Sequence, residues 1–62
     1  MKTSPTVLVV EDDTLTRQMI RGMLEKRGLQ VVEAEDGQEA VESFRKLPAD
    51  LVLLDVSMPR LD

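Results

Sequence analysis

Short apolar runs alternate along the chain with longer stretches in which apolar residues recur at helical spacing. The runs cover residues 6–10, 30–34 and 51–54. Continuous apolar runs of this length predict strands buried on both faces, as in a parallel sheet covered by helices. The first and third runs fit this prediction. The middle run contains Gln30 and Glu33 and is typical of an edge strand.

A first amphipathic helix is predicted after residues 6–10. Asp13 or Thr14 is expected to cap its start, and Gly28 stands where a glycine commonly follows the end of a helix. Arg21 and Glu25 are four residues apart on its polar side. Its apolar positions at helical spacing are Leu15, Met19, Ile20, Met23 and Leu24.

A second helix is predicted over about residues 38–46. Asp36 and Glu39 have the spacing of a capping-box-like start, and Pro48 ends the helix. Because the apolar side is expected to face the sheet, this helix should bury four residues, namely Ala40, Val41, Phe44 and Leu47.

This order of elements predicts an α/β fold with a three-stranded parallel sheet. Two helical crossovers join three strands, and such crossovers are right-handed in nearly all known cases. The two most apolar strands should be neighbours, with residues 30–34 outside the first, which gives the order 2-1-3. One helix is then expected on each face of the sheet.

The composition of the chain argues against several classes of function. The chain has 62 residues, a net charge of -4 and no cysteine or histidine. The charge and the lack of a basic cluster argue against nucleic-acid binding, and the lack of histidine excludes a His-based catalytic triad. No apolar run approaches the roughly 20 residues of a membrane helix. We therefore expect a soluble protein without membrane contact, and the lack of cysteine fits a cytoplasmic one.

Acidic residues follow two of the predicted strands. Glu11 and Asp12 come directly after the first strand, and Asp55 directly after the third. Since parallel neighbours end at the same edge of a sheet, these three carboxylates should converge. Two carboxylates about 4 Å apart repel by roughly 4 kcal/mol at an effective dielectric of 20. A site with three carboxylates relieves this repulsion by taking up protons or by binding a cation, and oxygen ligands without His or Cys favour Mg²⁺.

With a cation bound, Asp55 becomes a candidate nucleophile toward a phosphoryl group, because aspartyl phosphates are a known form of covalent catalysis. The neighbouring acids have simpler interpretations. An acidic triplet after a strand is also typical of a solvated turn that caps a helix, and Asp13 is best explained in this way. Asp50 is interpreted as a solvated residue before a strand.

Three motifs, in this order and spacing, resemble the receiver domain of two-component response regulators. They are Val9-Val10-Glu11-Asp12-Asp13, Glu35-Asp36-Gly37-Gln38-Glu39-Ala40 and Leu53-Leu54-Asp55-Val56-Ser57-Met58-Pro59-Arg60-Leu61-Asp62. The resemblance covers residues 6–62, after a polar lead at residues 1–5. It implies half of a flavodoxin-like doubly wound fold.

The resemblance also implies roles for individual residues. Asp55 matches the phospho-acceptor, which receives its phosphoryl group from a histidine kinase or phosphotransfer protein. Asp12 matches a direct Mg²⁺ ligand, and Glu11 matches an acid that acts through water. Ser57 matches the position whose backbone carbonyl completes the metal site. Glutamate at position 11 is a mild variation of the family's acidic pair and should not remove metal binding.

The chain departs from the family in length. A receiver of this family is about twice as long and has a five-stranded sheet, so the resemblance covers its amino-terminal half. The switch Ser/Thr and the Lys that pairs with the acceptor have no counterpart among these 62 residues. Receivers catalyse their own aspartyl phosphorylation and dephosphorylation. We expect this activity to be impaired or absent in the present chain.

Two other functions compete with a phosphorelay role. The chain could be a catalytically incompetent structural half-domain that forms a homo-oligomer through an exposed sheet edge, since residues 51–54 would lack an outer neighbour. A Mg²⁺-dependent phosphatase of the haloacid dehalogenase type also uses an Asp after a strand. That family needs a second Asp two residues later, where this chain has Ser57.

Overall fold

A computed structural model describes residues 4–54, and the statements below concern this range. The three strands are β1 (Thr6–Val10), β2 (Gln30–Ala34) and β3 (Leu51–Leu54). The helices α1 (Thr14–Lys26) and α2 (Gly37–Lys46) connect them in the predicted order. The predicted strand bounds are confirmed, and α2 begins one residue earlier than predicted.

The sheet is parallel, in the order β2-β1-β3, so the predicted fold class and strand order are confirmed. Val7 pairs with Val31 on one side and with Leu51 on the other. At the carboxyl end, Val10 lies opposite both Ala34 and Leu54. This register ends all three strands at the same level.

The core centres on β1, whose residues Val7 to Val10 are only 1–2% exposed. Successive side chains of a strand point to opposite faces, so β1 needs cover on both. On one face, Leu8 and Val10 cluster with Ala34, and Ala40 of α2 packs against them. On the other face, α1 lies against the sheet, and Arg17 and Arg21 of this helix form ion pairs with Glu33 of β2. One helix therefore covers each face, as predicted.

Two predictions of burial are wrong. All four residues of β3 are exposed, with 39–59% of their surface accessible, although a strand buried on both faces was predicted. Val41 and Phe44 of α2, and Leu47 directly after it, are 42–56% exposed rather than buried. Both helices lie against β1 and β2, whereas within residues 4–54 the backbone of neither helix comes close to β3. The apolar side chains that face β3 therefore remain open to solvent.

Side-chain caps begin both helices as predicted. Asp13 Oδ2 accepts hydrogen bonds from the Thr16 N–H at 2.8 Å and from Thr16 Oγ1 at 2.7 Å. At α2, Asp36 Oδ1 accepts from the Glu39 N–H at 2.8 Å. Glu39 Oε1 accepts in turn from the Glu35 N–H at 2.6 Å, one residue before the donor of a standard capping box. These bonds satisfy N–H groups that a helix start leaves unpaired.

The end of α1 is a Schellman turn. The Leu29 N–H donates to the Leu24 carbonyl at 3.2 Å, and the Gly28 N–H donates to the Glu25 carbonyl at 2.9 Å. Gly28 has a φ of 85°, a region that residues with a Cβ enter only at a cost. The predicted helix-ending role of Gly28 is confirmed.

Asp50 does more than the predicted solvated residue would. Its side chain is exposed, but Asp50 Oδ2 accepts from the Thr6 N–H at 2.7 Å. The Asp50 N–H donates to the Thr6 carbonyl at 2.8 Å. Asp50 thereby joins the starts of β1 and β3.

No helix in the described range is long and apolar enough to cross a membrane.

Gly22 lies inside α1 and Gly28 lies just after its end, so the two positions allow a paired test of stability. A methyl group on Gly22 would meet no atom of the described residues within 4 Å, and Gly22 lies inside the helix. We expect Gly22→Ala to stabilise the fold by about 0.5–1 kcal/mol, because alanine is the better helix former. Gly28→Ala should destabilise it by about 1 kcal/mol, because φ is positive there. Urea unfolding measures the free energy of unfolding of both variants. If both substitutions change it in the same direction and by the same amount, the roles assigned to the two glycines are wrong.

Candidate functional site

The turn between β1 and α1 carries the first two predicted site residues, Glu11 and Asp12. Glu11 is only 2% exposed. Its N–H donates to the Ala34 carbonyl at 3.0 Å, which extends the β1–β2 pairing by one residue. Its carboxylate Oε2 accepts from the Asp13 N–H at 2.9 Å. These bonds hold Glu11 at the carboxyl edge of the sheet.

The next two acids differ in their surroundings. Asp13 is the cap of α1, and the hydrogen bond from the Thr16 hydroxyl holds the pKa of its carboxyl below the ordinary value. Asp12 is exposed. Asp13 is exposed too, but its carboxylate is engaged in capping α1.

The other predicted site residues, Asp55 and Ser57, lie outside the described residues. Within residues 4–54, no group of three or more His, Cys, Asp or Glu side chains is arranged to hold a metal ion. The donors present in the turn, Glu11 and Asp12, are carboxylates. Such hard oxygen donors fit a cation of the Mg²⁺ type and do not suit a soft metal. The four-part metal site stays a prediction.

A groove opens beside Glu11, between α1 and β3. Its volume is about 340 Å³, and α1 contributes Thr16 and Ile20 to its wall. A second groove, of about 470 Å³, lies between α2 and β3 on the opposite face of the sheet. Its lining is almost entirely apolar and includes Phe44 and Val52. Both grooves exist because the helices do not reach β3.

Two arginines of α1 converge on one glutamate of β2. Arg17 Nε donates to Glu33 Oε1 at 2.8 Å, and Arg21 Nη1 donates to Glu33 Oε2 at 2.6 Å. Arg21 also pairs with Glu25 at 2.9 Å, the partner four residues along the helix. Arg17 is only 9% exposed, and its Nη1 donates to the Glu11 carbonyl at 2.8 Å. Arg17 thus connects β2 to the acidic turn.

These pairs shift the acid–base equilibria of the groups involved. The hydrogen bonds from Arg17 and then from Arg21 hold the pKa of the Glu33 carboxyl below its ordinary value. The same bond to Glu33 raises the pKa of Arg17. The ionised pair is therefore favoured in the folded state.

Arg17 and Glu33 are functional candidates that sequence reasoning missed. The signal was nonetheless present, since Glu33 interrupts a run of apolar residues on β2. A charged side chain on a strand face that a helix must cover requires a partner. Arg17 and Arg21, four residues apart on that helix, were suitable partners, although only Arg21 and Glu25 were paired from the sequence.

Almost the whole chain is similar in sequence to known proteins. The family described as "Response regulator receiver domain" matches residues 7–62. The chemotaxis protein CheY of Bacillus subtilis (strain 168) is 44% identical over 57 residues, which cover 90% of this chain and 48% of CheY. The chain thus spans about half the length of this relative.

Longer proteins contain a similar segment. The transcriptional regulatory protein PdtaR of Mycobacterium tuberculosis (strain H37Rv) is 49% identical over 57 residues, or 90% of this chain and 28% of PdtaR. The autoinducer 1 sensor kinase/phosphatase LuxN of Vibrio harveyi is 41% identical over 56 residues, or 90% of this chain and 7% of LuxN. The same segment therefore occurs in proteins of different overall length.

The lowered pKa of Glu33 predicts how stability depends on pH. A carboxyl whose pKa is lower in the folded state than its ordinary value of about 4.3 stabilises the fold above that value, and the contribution is lost as the pH falls through the folded pKa. We expect Glu33→Gln to be less stable than the wild type at pH 7, with a difference that shrinks as the pH falls below about 4. Urea unfolding at several pH values measures this.

Glu25→Gln is the matched control, because among residues 4–54 the Glu25 carboxylate pairs with Arg21 alone, at the surface. Exposed pairs of this kind contribute about 0.3–0.5 kcal/mol. A Glu33→Gln difference that is independent of pH, or no larger than that of the control, would contradict the assignment.

Proposed function

The chain belongs to the receiver domains of response regulators, the signalling domains of two-component systems, and on this basis we propose that Asp55 accepts a phosphoryl group from a histidine kinase or phosphotransfer protein. In the proposed site, Asp12 and Asp55 bind Mg²⁺ directly, Glu11 acts through water, and the backbone carbonyl of Ser57 completes the ligand set. Phosphorylation would serve phosphorelay signalling by the protein that carries this domain.

The register of the sheet is the observation that carries the proposal. Val10 lies opposite Leu54 in the β1–β3 pair. Glu11 and Asp55 are the next residues along the chain after these two. Ligands of open α/β sheets bind outside the carboxyl ends of the strands, which is the edge where the acidic turn lies. The oxygen-only donor set suits a hard cation.

The proposed step is a substitution at phosphorus. A carboxylate oxygen of Asp55 forms the new P–O bond while the bond to the donor nitrogen of phosphohistidine breaks, and that nitrogen keeps the electron pair. Bound Mg²⁺ supplies charge neutralisation for the transferring group. The acids of the turn hold their carboxylates at the edge where this charge develops.

The description of one relative supports a kinase as the class of partner. LuxN, which contains a similar segment, is described as a sensor kinase/phosphatase. That description agrees with a histidine kinase as the phosphoryl donor of receivers. For this chain we propose the same class of donor, a phosphohistidine on a kinase or a phosphotransfer protein.

Phosphorylation of the isolated chain should require Asp55 and Mg²⁺ and should be slow. The Lys that assists transfer in the family has no counterpart among the 62 residues, and one such donor commonly contributes about 10² to 10³ in rate. Incubation with acetyl phosphate, followed by intact mass, measures the labelling. Asp55→Asn should abolish it, and removal of Mg²⁺ should suppress it.

Asp50→Asn is the control, because Asp50 lies at the opposite end of the same strand, beside Thr6. It should label like the wild type. Undiminished labelling of Asp55→Asn, or labelling that does not depend on Mg²⁺, would contradict the proposed acceptor. Complete labelling within minutes would contradict the expected impairment.

Self-association is a second candidate function, favoured by the exposure of β3. Each β3 residue is at least 39% exposed, and within residues 4–54 no strand pairs with its outer edge. An exposed apolar edge is a template for pairing with another chain, and large bare apolar patches mark interaction surfaces. We propose a homodimer in which the β3 strands of two copies meet about a two-fold axis.

Sedimentation at micromolar concentration tests this association. The wild type should sediment as a dimer or larger species, and Leu53→Lys should shift it toward the monomer, because the new charge lies on the β3 strand. Leu15→Lys is the control, since Leu15 is 71% exposed on α1, whose backbone does not come close to β3 within residues 4–54. A compact wild-type monomer, or equal shifts for both variants, would contradict the proposed interface.

A further inference from the structure

We propose that Arg17 is a positioning residue of the acidic site. Its guanidinium holds the peptide group that joins Glu11 to Asp12, and Glu33 holds the guanidinium. The inference rests on the proposed function, because Glu11 and Asp12 are the residues assigned there to Mg²⁺. It adds two residues that make no contact with the metal in that assignment.

Two nitrogens of the Arg17 guanidinium donate hydrogen bonds to two different parts of the fold. Nη1 donates to the Glu11 carbonyl at 2.8 Å, while Nε donates to Glu33 Oε1 at 2.8 Å. A guanidinium is planar and presents its N–H groups in a fixed fork. Fixing one end on β2 therefore fixes where the other end can lie. The side chain is buried, so solvent competes little for these bonds.

The bond to the Glu11 carbonyl acts on both acids at once. That carbonyl belongs to the planar peptide group between Glu11 and Asp12, so holding its oxygen restricts the orientation of the whole unit. The Glu11 N–H is already bonded to the Ala34 carbonyl. The backbone of Glu11 is thus held on one side by β2 itself and on the other by Arg17. Asp12 leaves this peptide group in a defined direction.

Arg21 supplies a natural comparison within the same network. It shares Glu33 through Oε2 at 2.6 Å and pairs with Glu25 at 2.9 Å. Its side chain is 45% exposed, and no bond from it to the acidic turn is found among the described residues. Replacing Arg21 therefore removes an ion pair with Glu33 but leaves the hold on the turn intact.

The experiment compares Arg17→Met with Arg21→Met in the full chain. Mg²⁺ is titrated while amide NMR shifts of residues 11–13 are followed, and unfolding is measured in parallel. Loss of a group that orients a metal ligand typically weakens metal affinity by about 10- to 100-fold. We expect Arg17→Met to weaken Mg²⁺ binding about tenfold or more and Arg21→Met to change it by about twofold or less.

Arg17→Lys separates charge from geometry. Lysine keeps the positive charge near Glu33 but lacks the planar fork, so its Mg²⁺ affinity should fall with that of Arg17→Met. If Arg17→Met does not fold, Arg17→Lys and Glu33→Gln take its place in the comparison with Arg21→Met. Wild-type affinity in the folded Arg17 variants, with only their stability lowered, would show a purely structural role and overturn the proposal.

The outcomes also separate this proposal from the proposed function. If the wild type gives no Mg²⁺-dependent shifts at residues 11–13, the proposed metal site is wrong. The metal-free spectra then decide the role of Arg17. Shifts of residues 11–13 in Arg17→Met but not in Arg21→Met support it as the residue that positions the turn, and unchanged shifts overturn it.

Discussion

Strand β1 needs neighbours on both edges and cover on both faces, and the rest of the structure follows from that requirement. Its residues are almost fully apolar and 1–2% exposed from Val7 to Val10. Pairing with β2 and β3 satisfies the backbone on both edges. The helices α1 and α2, which lie on opposite faces, satisfy the side chains. Each element of the described chain thus has a contact with this one strand.

The cover is not symmetrical across the sheet. Within residues 4–54, both helices lie over β1 and β2, while β3 has one paired edge and all four of its residues are exposed. Apolar surface from β3 and from the nearby side of α2 consequently lines the large groove that includes Phe44. In a sheet of this type, a further layer is required to remove that surface from water.

The acidic edge of the sheet is held by specific polar contacts. Carboxylates at a strand end repel one another, so their positions require specific bonds. Asp13 is bound to the start of α1, and Glu11 is bound to β2, to the Asp13 amide and to Arg17. The ion pairs of Glu33 connect the same helix to the sheet beneath the turn. One helix therefore serves both as cover for the core and as support for the site.

The sequence by itself determined the local features of the site. The bounds of the strands, the caps Asp13 and Asp36 and the role of Gly28 were predicted, because periodicity and capping depend on residues a few positions apart. The parallel sheet followed from the two helical crossovers, and the strand order followed from the apolar character of the first and third strands. The acidic turn after β1 was also found, since a run of acids directly after a strand is visible in the sequence. These features needed no knowledge of distant contacts.

The tertiary structure alone decided burial and long-range pairing. An apolar pattern shows which side chains require cover but not whether another element reaches them, so the exposure of Phe44 was not predicted. For residues 51–54, burial on both faces was expected from the apolar run, and an exposed outer edge was expected from the lack of a further strand. The Arg17–Glu33 pair and the contact of Asp50 with Thr6 join residues 16 and 44 positions apart. Such contacts depend on the register of the strands and on where a helix crosses the sheet. Those quantities exist only once the chain has folded.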